Sequence, residues 1–173
     1  MQSTQRTITA KSYLKLLEYC HSFESVLDFG SGKGLGSAIL NSVVPTESFE
    51  PFPSLNEPTY RRYEDIKKVY DGVICLNVLN VLNRHDRDQA VLRIGSKARV
   101  FCIIGVRSWS RSISGIRGCR GDEPRSVITS AGSYQKGFTG PELVGYLSEL
   151  LPDFTTQTFK ICDLGVLLTR CRG

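Results

Sequence analysis

Short apolar runs alternate with amphipathic segments along the first two thirds of the chain. Residues 26–29, 73–76 and 100–106 are apolar at nearly every position, and polar residues flank each run. Runs of this length predict strands that are buried on both faces, as in a parallel sheet. Residues 9–20 and 88–98 instead carry their apolar side chains at helical spacing. The alternation predicts an α/β fold with helices on both faces of a mostly parallel sheet.

The last third of the chain has the pattern of antiparallel strand pairs. Residues 126–129 and 134–138 flank a short polar segment and predict a small hairpin. Residues 154–162 and 166–171 predict two further strands, and a tight turn over residues 163–165 would join them.

Composition narrows the class of protein. The chain has 173 residues, of which 40% are hydrophobic and 23% are charged, so we predict one globular domain over residues 1–173. No apolar run approaches the roughly 20 residues of a membrane span, and residues 1–6 lack the apolar core of a signal peptide. We therefore predict a cytoplasmic protein with no membrane partner. The six cysteines and two histidines lack zinc spacing, so we predict neither a disulfide nor a metal site.

The segment after the first predicted strand carries the strongest chemical signal. Residues 26–36 read Val-Leu-Asp-Phe-Gly-Ser-Gly-Lys-Gly-Leu-Gly, and a helical pattern follows them. Glycines allow positive φ angles and let a ligand approach the backbone with no Cβ in the way. A strand, a glycine-rich turn and a helix in this order predict the nucleotide-binding corner of an α/β sheet.

Three ligand-binding patterns share this outline, and single residues separate them. A phosphate-binding P-loop requires Gly-Lys-Ser/Thr, but Gly34 follows Lys33, so the magnesium-binding hydroxyl is absent. A dinucleotide fingerprint requires Gly-x-Gly-x-x-Gly, and Leu35 stands in the place of its third glycine, which leaves NAD as a weaker alternative. The third pattern, acid-x-Gly-x-Gly-x-Gly, is matched in full at Asp28, Gly30, Gly32 and Gly34.

Residues 26–36 resemble motif I of the class I S-adenosylmethionine-dependent methyltransferases, in which the loop cradles the methionine part of the cofactor and the acid organises the loop. The resemblance implies a Rossmann-like three-layer sandwich around a mostly parallel seven-stranded sheet, with an antiparallel C-terminal hairpin. It also implies S-adenosylmethionine as the cofactor. The cofactor-binding residues that we predict are Asp28, Gly30, Ser31, Gly32, Lys33, Gly34, Glu50, Phe52, Asp65, Asn77 and Val78.

Residues 47–50 predict a short second strand, and three of the predicted cofactor-binding residues lie at its end or beyond it. Glu50 stands 22 positions after Asp28 (50 minus 28), which lets an acid at the tip of strand two reach a ribose held over strand one. Its carboxylate would accept charge-assisted hydrogen bonds from the ribose hydroxyls. Phe52 would pack on the adenine. Asp65, in a brief third strand over residues 60–66, would accept a hydrogen bond from the adenine amino group.

Asn77 and Val78 directly follow the apolar run 73–76. The resemblance places the family's fourth motif here, at the strand end where the transferable methyl lies. We predict Asn77 and Tyr134 as the catalytic polar groups. A dedicated base is not assigned, since much of the catalysis of methyl transfer consists of holding donor and acceptor in line. Residues 77–82 read Asn-Val-Leu-Asn-Val-Leu, which is similar to compact phage-encoded methyltransferases. The Asn-Pro-Pro-Tyr tetrapeptide of many DNA N-methyltransferases is absent from this position, which disfavours amino-group methylation.

Positive charge is concentrated after the run 100–106. Lysine and arginine number 22 against 17 acids, for a formal net charge of +5, and the arginines of residues 107–125 are Arg107, Arg111, Arg117, Arg120 and Arg125. The segment shows no helical or strand period and predicts a long loop, which the resemblance places over the reactive end of the cofactor. Arginine forks suit phosphates and Trp109 suits a base, so we predict nucleic acid as a partner; a solvated loop is the alternative.

The leading hypothesis is methyl transfer from S-adenosylmethionine to a nucleic acid or a small molecule. A cofactor-binding module without chemistry, serving as an assembly subunit, is the first alternative. An NAD-dependent oxidoreductase is the second. S-adenosylhomocysteine should bind under the first two hypotheses, and only an enzyme should consume S-adenosylmethionine when an acceptor is present.

Overall fold

The structure is a computed structural model that describes residues 2–171, and the side chains of residues 11–171. Helices and strands alternate in the first two thirds of this range, and strands dominate the rest. The elements are α1 (Gln2–Cys20), β1 (Val26–Phe29), α2 (Leu35–Leu40), β2 (Thr46–Phe49), β3 (Tyr70–Leu76), α3 (Arg84–Lys97), β4 (Ala98–Val106), β5 (Gly118–Arg120), β6 (Ser126–Thr129), β7 (Tyr134–Lys136), α4 (Gly140–Leu150), β8 (Phe154–Thr158) and β9 (Leu164–Arg170).

A six-stranded sheet forms the centre of the described part of the chain. Its strand order is β2-β1-β3-β4-β9-β8. The strands β1 to β4 pair in parallel, and β9 runs antiparallel to both β4 and β8. The predicted α/β class, the mostly parallel sheet and the antiparallel C-terminal hairpin are therefore confirmed.

Helices cover both faces of this sheet because successive strand residues point to opposite sides. Leu27, Val73 and Cys75 pack in one cluster with residues of α3 and α4. Val26 and Ile74 pack in the other cluster with residues of α1 and α2. The result is the predicted three-layer sandwich, with α1 and α2 on one face and α3 and α4 on the other.

The prediction of seven strands is wrong, because residues 60–66 do not form the expected third strand. Within the described range, Tyr60 makes a single parallel bridge to Phe49, and Tyr63–Asp65 is a turn of 3-10 helix. Three prolines occupy residues 51–58, and proline has no backbone N–H to donate to a neighbouring strand. The segment therefore covers the edge of β2 without extending the sheet.

Residues 107–125 are not the long loop that the sequence predicts. Trp109–Ile113 forms a turn of π-helix, and Gly118–Arg120 is the strand β5. β5 adds to the predicted hairpin of β6 and β7 and makes a second, three-stranded antiparallel sheet. The short length of each piece explains why no period is visible in the sequence.

The ends of the C-terminal elements differ in one respect from their prediction. Thr139 and Glu142 form a reciprocal capping box at the start of α4, which is the arrangement that their spacing favours. The strand β8 ends earlier than predicted, at Thr158, and residues 159–163 lead to β9 in place of the tight turn over residues 163–165.

No helix within residues 2–171 is both long and apolar enough to cross a lipid bilayer.

Candidate functional site

A large cavity lies at the carboxyl ends of β1, β2 and β3. Its volume is about 1070 Å³, which is sufficient for a nucleoside-sized ligand together with part of a second molecule. Open parallel sheets bind ligands outside the carboxyl ends of their strands. The predicted site residues that line this cavity are Gly30, Ser31, Gly32, Lys33, Glu50, Phe52, Asn77 and Val78.

The glycine-rich loop between β1 and α2 forms one wall of the cavity. Gly30 and Gly32 have φ angles of 77° and 57°, a left-handed conformation that L side chains rarely adopt. A Cβ on Gly30 would lie 2.3 Å from Cγ2 of Val78, so the loop packs directly on the segment after β3. A Cβ on Gly32 would meet no atom within 4 Å. Gly32 therefore presents bare backbone to open space.

Glu50 stands immediately after β2 and faces this loop. Its Oε2 accepts a hydrogen bond of 2.8 Å from the Gly32 N–H, and its Oε1 accepts one of 3.0 Å from the Phe52 N–H. The carboxylate thus lies within hydrogen-bonding reach of the backbone that faces the cavity. The Phe52 side chain is 85% exposed at the rim.

Asp28 lies behind the glycine-rich loop and not in the wall of the cavity. It is fully buried, and it accepts hydrogen bonds from the Tyr13 hydroxyl at 2.7 Å and from the Ser37 hydroxyl at 2.6 Å. Burial raises the pKa of Asp28 to about 6, although these two hydrogen bonds favour the ionised form. Asp28 does not line the cavity. It joins α1 and α2 behind the glycine-rich loop.

Asn77 follows β3 in a conformation that is unusual for a residue with a side chain. Its φ angle is 60°, and its N–H donates to the Gly105 carbonyl at 2.8 Å. The Asn77 side-chain amide lies 3.7 Å from the Cys162 sulfur. Asparagine tolerates the left-handed region better than most residues, so the strand ends with a polar side chain at the cavity.

Asp65 and Tyr134 lie elsewhere, so the structure does not support the positions that the sequence suggests for them. Asp65 is exposed on the 3-10 turn and does not line the cavity, whereas its neighbour Glu64 does. Tyr134 lies on β7, and its hydroxyl donates to Glu123 at 2.6 Å. Burial beside that carboxylate raises the pKa of Tyr134. Residue spacing alone could not indicate which way these two side chains point.

Gly34 also lies outside the lining of the cavity. A Cβ at this glycine would approach that of Asn56 to 3.0 Å, and the Asn56 amide donates to the Lys33 carbonyl at 2.8 Å. The third glycine of the motif therefore allows the proline-rich segment to pack on the loop.

The residues of the opposite wall of the cavity are not among the predicted site residues. His85, Gln89 and Arg93 line it from α3, at successive intervals of four residues. This polar stripe on one helical face was the available signal. Arg61, Arg62 and Glu64 line the cavity from the proline-rich side, and Tyr13 lines it from α1.

The arginine-rich segment does not cover this cavity, in contrast to the expectation from the resemblance. None of residues 107–125 lines it. The described residues contain no group of three or more side chains that could hold a metal ion.

Comparison with known proteins identifies the fold. No protein-family model matches the chain, and no curated protein matches it in sequence. Among solved structures, the 1,6-didemethyltoxoflavin N1-methyltransferase of Burkholderia thailandensis, crystallised with S-adenosylhomocysteine, has a TM-score of 0.71 at 16% identity. The match covers 99% of this chain and 82% of that one.

Two further solved structures of methyltransferases have the same fold. A sugar N-methyltransferase of Streptoalloteichus sp. has a TM-score of 0.65 at 12% identity, with 95% of this chain and 87% of that chain covered. The magnesium protoporphyrin IX methyltransferase of Synechocystis, with bound S-adenosylhomocysteine, has a TM-score of 0.57 at 17% identity, with 98% and 84% covered. The chain therefore has the fold of the class I S-adenosylmethionine-dependent methyltransferases.

Proposed function

We propose that this chain is an enzyme that transfers a methyl group from S-adenosylmethionine to an acceptor. One observation carries the proposal: the bare backbone of Gly32 and the carboxylate of Glu50 face the same large cavity. The fold supports it, since solved structures with this fold contain S-adenosylmethionine or S-adenosylhomocysteine.

The residues around the cavity fit this cofactor. Gly32 leaves room for the methionine part, because no side chain projects from it into the space. Glu50 would exchange its hydrogen bond from Gly32 for charge-assisted hydrogen bonds from the ribose hydroxyls. Phe52 and Val78 offer apolar surface to the adenine. When bound, S-adenosylmethionine supplies an activated methyl group on a sulfonium.

Asn77 is the polar group that we propose to act nearest the acceptor. It stands at the carboxyl end of β3, beside the glycine-rich loop, and lines the cavity. The side-chain amide can both donate and accept a hydrogen bond, so it can orient a hydroxyl or an amine without removing its proton. Alignment of donor and acceptor would then account for most of the rate enhancement.

The acceptor that we propose is a nucleic acid or a small molecule, and the arginines of residues 107–125 favour the former. A cofactor-binding subunit without chemistry and an NAD-dependent oxidoreductase are the alternatives. Consumption of S-adenosylmethionine in the presence of an acceptor separates an enzyme from a binding subunit. Binding of NAD in place of S-adenosylhomocysteine would favour an oxidoreductase.

We also propose that the chain is of the compact phage-encoded type and acts in a cytoplasm, including that of a host cell. The Asn-Val-Leu-Asn-Val-Leu segment at residues 77–82 and the absence of a described membrane-spanning helix support this proposal.

A matched pair of glycine substitutions tests the cofactor site. Gly32→Val should abolish calorimetrically detected binding of S-adenosylhomocysteine, because the branched side chain would occupy the open space beside Glu50. Gly132→Val is the control, since Gly132 also has a positive φ angle and an open Cβ position but lies in the turn after β6. The control should bind normally. Unchanged binding by a folded Gly32→Val variant would contradict the proposal.

A further inference from the structure

A second cleft lies on the three-stranded sheet, away from the large cavity. Its volume is about 450 Å³, which is enough to accept one flat aromatic group and part of its substituents. The cleft is lined by Trp109, Arg120, Pro124, Arg125, Ser126 and Val127. An aromatic ring, two guanidinium groups and a hydroxyl thus share one small concave surface.

The register of the three strands aligns a row of side chains along this cleft. Arg120 pairs with Val127, and Val127 pairs with Gln135. Directly paired residues of antiparallel strands share one face of the sheet. Arg107 reaches the end of the row, with its Nη1 donating to Gln135 at 3.2 Å. The cleft therefore combines the Trp109 ring with the exposed Arg120 and with the apolar side chain of Val127.

The positive charge of residues 107–125 is largely unneutralised. Arg111, Arg117 and Arg120 are exposed, and none of them forms an ion pair with any residue of the described range. Arg125 differs, since its guanidinium lies 3.2 Å from the Glu142 carboxylate. Asp122 is the exposed acid of residues 107–125. Within residues 107–125, three free guanidinium groups against one free carboxylate favour an anionic ligand, and Arg120 lines the cleft itself.

The cleft and the large cavity lie on neighbouring elements. Asn80 is buried between β7 and the segment after β4: its Nδ2 donates to the Lys136 carbonyl at 2.5 Å, and its Oδ1 accepts from the Arg107 N–H at 2.9 Å. The next residues, Val81 and Leu82, line the large cavity. Asn80 thus joins the second sheet, on which the cleft lies, to the wall of the large cavity.

We infer that this cleft binds single-stranded nucleic acid, with one base stacked on Trp109 and the adjoining phosphates contacting Arg120 and its exposed neighbours. Stacking requires an accessible base face, which a single strand offers and a duplex retains inside its own stack. Arginine forks donate to phosphate oxygens in pairs. That the bound strand is also the methyl acceptor rests on the function proposed above; its binding in the cleft does not.

The chain contains one tryptophan, so its fluorescence reports on this cleft alone. Titration with fluorescein-labelled oligothymidylate should quench Trp109, and the same label should report affinity through anisotropy. The logarithm of the binding constant should fall linearly with that of the salt concentration, with a slope of about 0.7 per phosphate contacted. A duplex of equal length should bind more weakly and quench less.

Two substitutions and a matched control localise the binding. Trp109→Ala should weaken oligothymidylate about tenfold or more, because one stacked base is lost. Arg120→Ala should lower the salt slope by about 0.7. Lys67→Ala also removes one exposed positive charge, but Lys67 lies just before the amino end of β3, in the other sheet, so this variant should bind as the parent chain does. Arg120 is exposed, so its variant should fold even if Trp109→Ala does not.

Three results would overturn the inference: binding without any change in tryptophan fluorescence, a duplex that binds as tightly as the single strand, or equal effects of Arg120→Ala and Lys67→Ala. A parallel titration with S-adenosylhomocysteine shows whether a negative result concerns the cleft or the proposed cofactor site. Loss of oligonucleotide binding with intact S-adenosylhomocysteine binding would reject the cleft alone. The converse result would reject the cofactor site alone.

Discussion

Asp28 shows how one acid of a ligand-binding motif can act through packing. Both of its oxygens accept hydrogen bonds from hydroxyls of helices that cover the sheet, Tyr13 on α1 and Ser37 on α2. Tyr13 also packs against Gly36, where a Cβ would lie 2.1 Å from the ring. The acid therefore stabilises the helix layer that supports the glycine-rich loop, and its effect on a ligand is indirect.

The buried position of Asp28 predicts a specific dependence of stability on pH. Burial raises its pKa to about 6, so the folded state holds the proton more tightly than the unfolded state, where the pKa is about 3.9. The stabilisation that protonated Asp28 gives to the folded state is complete below about pH 4. It is lost as the pH rises through about 6, which lowers the free energy of unfolding by roughly 3 kcal/mol. Asp28→Asn cannot titrate. Denaturant unfolding at several pH values should therefore show the variant gaining stability relative to the parent as the pH rises. A constant difference would contradict this account.

The position of a residue at the cavity could be predicted where it follows from the end of a strand. It could not be predicted where it depends on the direction of the side chain. Glu50 could be predicted because the carboxyl ends of adjacent parallel strands lie at one edge, so an acid after β2 must lie near the turn after β1. Asp65 and Tyr134 depend on a turn of 3-10 helix and on a second sheet, respectively. Neither of these elements has a pattern that spans enough residues to be recognised.

At the scale of elements, α3 has two different faces. The stripe formed by His85, Gln89 and Arg93 lines the large cavity. Arg87 points away from it and is 1% exposed, with its guanidinium bonded to Glu123 and lying over the rings of Phe138 and Tyr146. α3 thus forms one wall of the large cavity and also anchors the segment that carries β5 to β7.

Removal of Arg87 should destabilise the fold far more than removal of its neighbour Arg84. Arg87→Ala leaves the Glu123 carboxylate partly buried without its cation, at a cost of about 3–5 kcal/mol. Arg84→Ala removes an exposed pair with Asp88 on the same helix, at a cost of less than about 1 kcal/mol. Both arginines lie over the Tyr146 ring, so this contact is matched. Denaturant unfolding measures both losses, and equal values would refute the anchoring role.

The central strands and the C-terminal hairpin could be predicted from the sequence, because long apolar runs and paired strand patterns are local signals. The absence of a seventh strand could not be predicted in the same way. Prolines at residues 51–58 indicated an irregular connection, but only the structure shows that Tyr60 makes a single bridge to Phe49. The second sheet was underestimated for a similar reason, since β5 has three residues, all exposed.

At the scale of the whole molecule, the two sheets differ in burial. Every residue of β3 is buried, and β4 is buried over most of its length. β5 is fully exposed, and Ile128 of β6 is 43% exposed. Segments with short strands and few buried apolar contacts open locally at a lower free energy than the core. The proposed cofactor site therefore lies on the more rigid sheet, and the cleft lies on the sheet that opens more readily.

This difference predicts an asymmetric response of hydrogen exchange to the cofactor product. S-adenosylhomocysteine at about 100 times its Kd stabilises the folded state by about 2.7 kcal/mol, which slows exchange through global unfolding about 100-fold. Amides of β3 and β4 should show this slowing, because they exchange only when the core unfolds. Amides of β5 and of the exposed end of β6 should exchange at unchanged rates, because local opening exposes them while the ligand stays bound. Hydrogen exchange read by mass spectrometry, with and without the ligand, measures both groups in one sample. If β5 and β6 slowed as much as β3, the two sheets would unfold as one unit, and the separation of a rigid cofactor site from a more mobile cleft would be wrong.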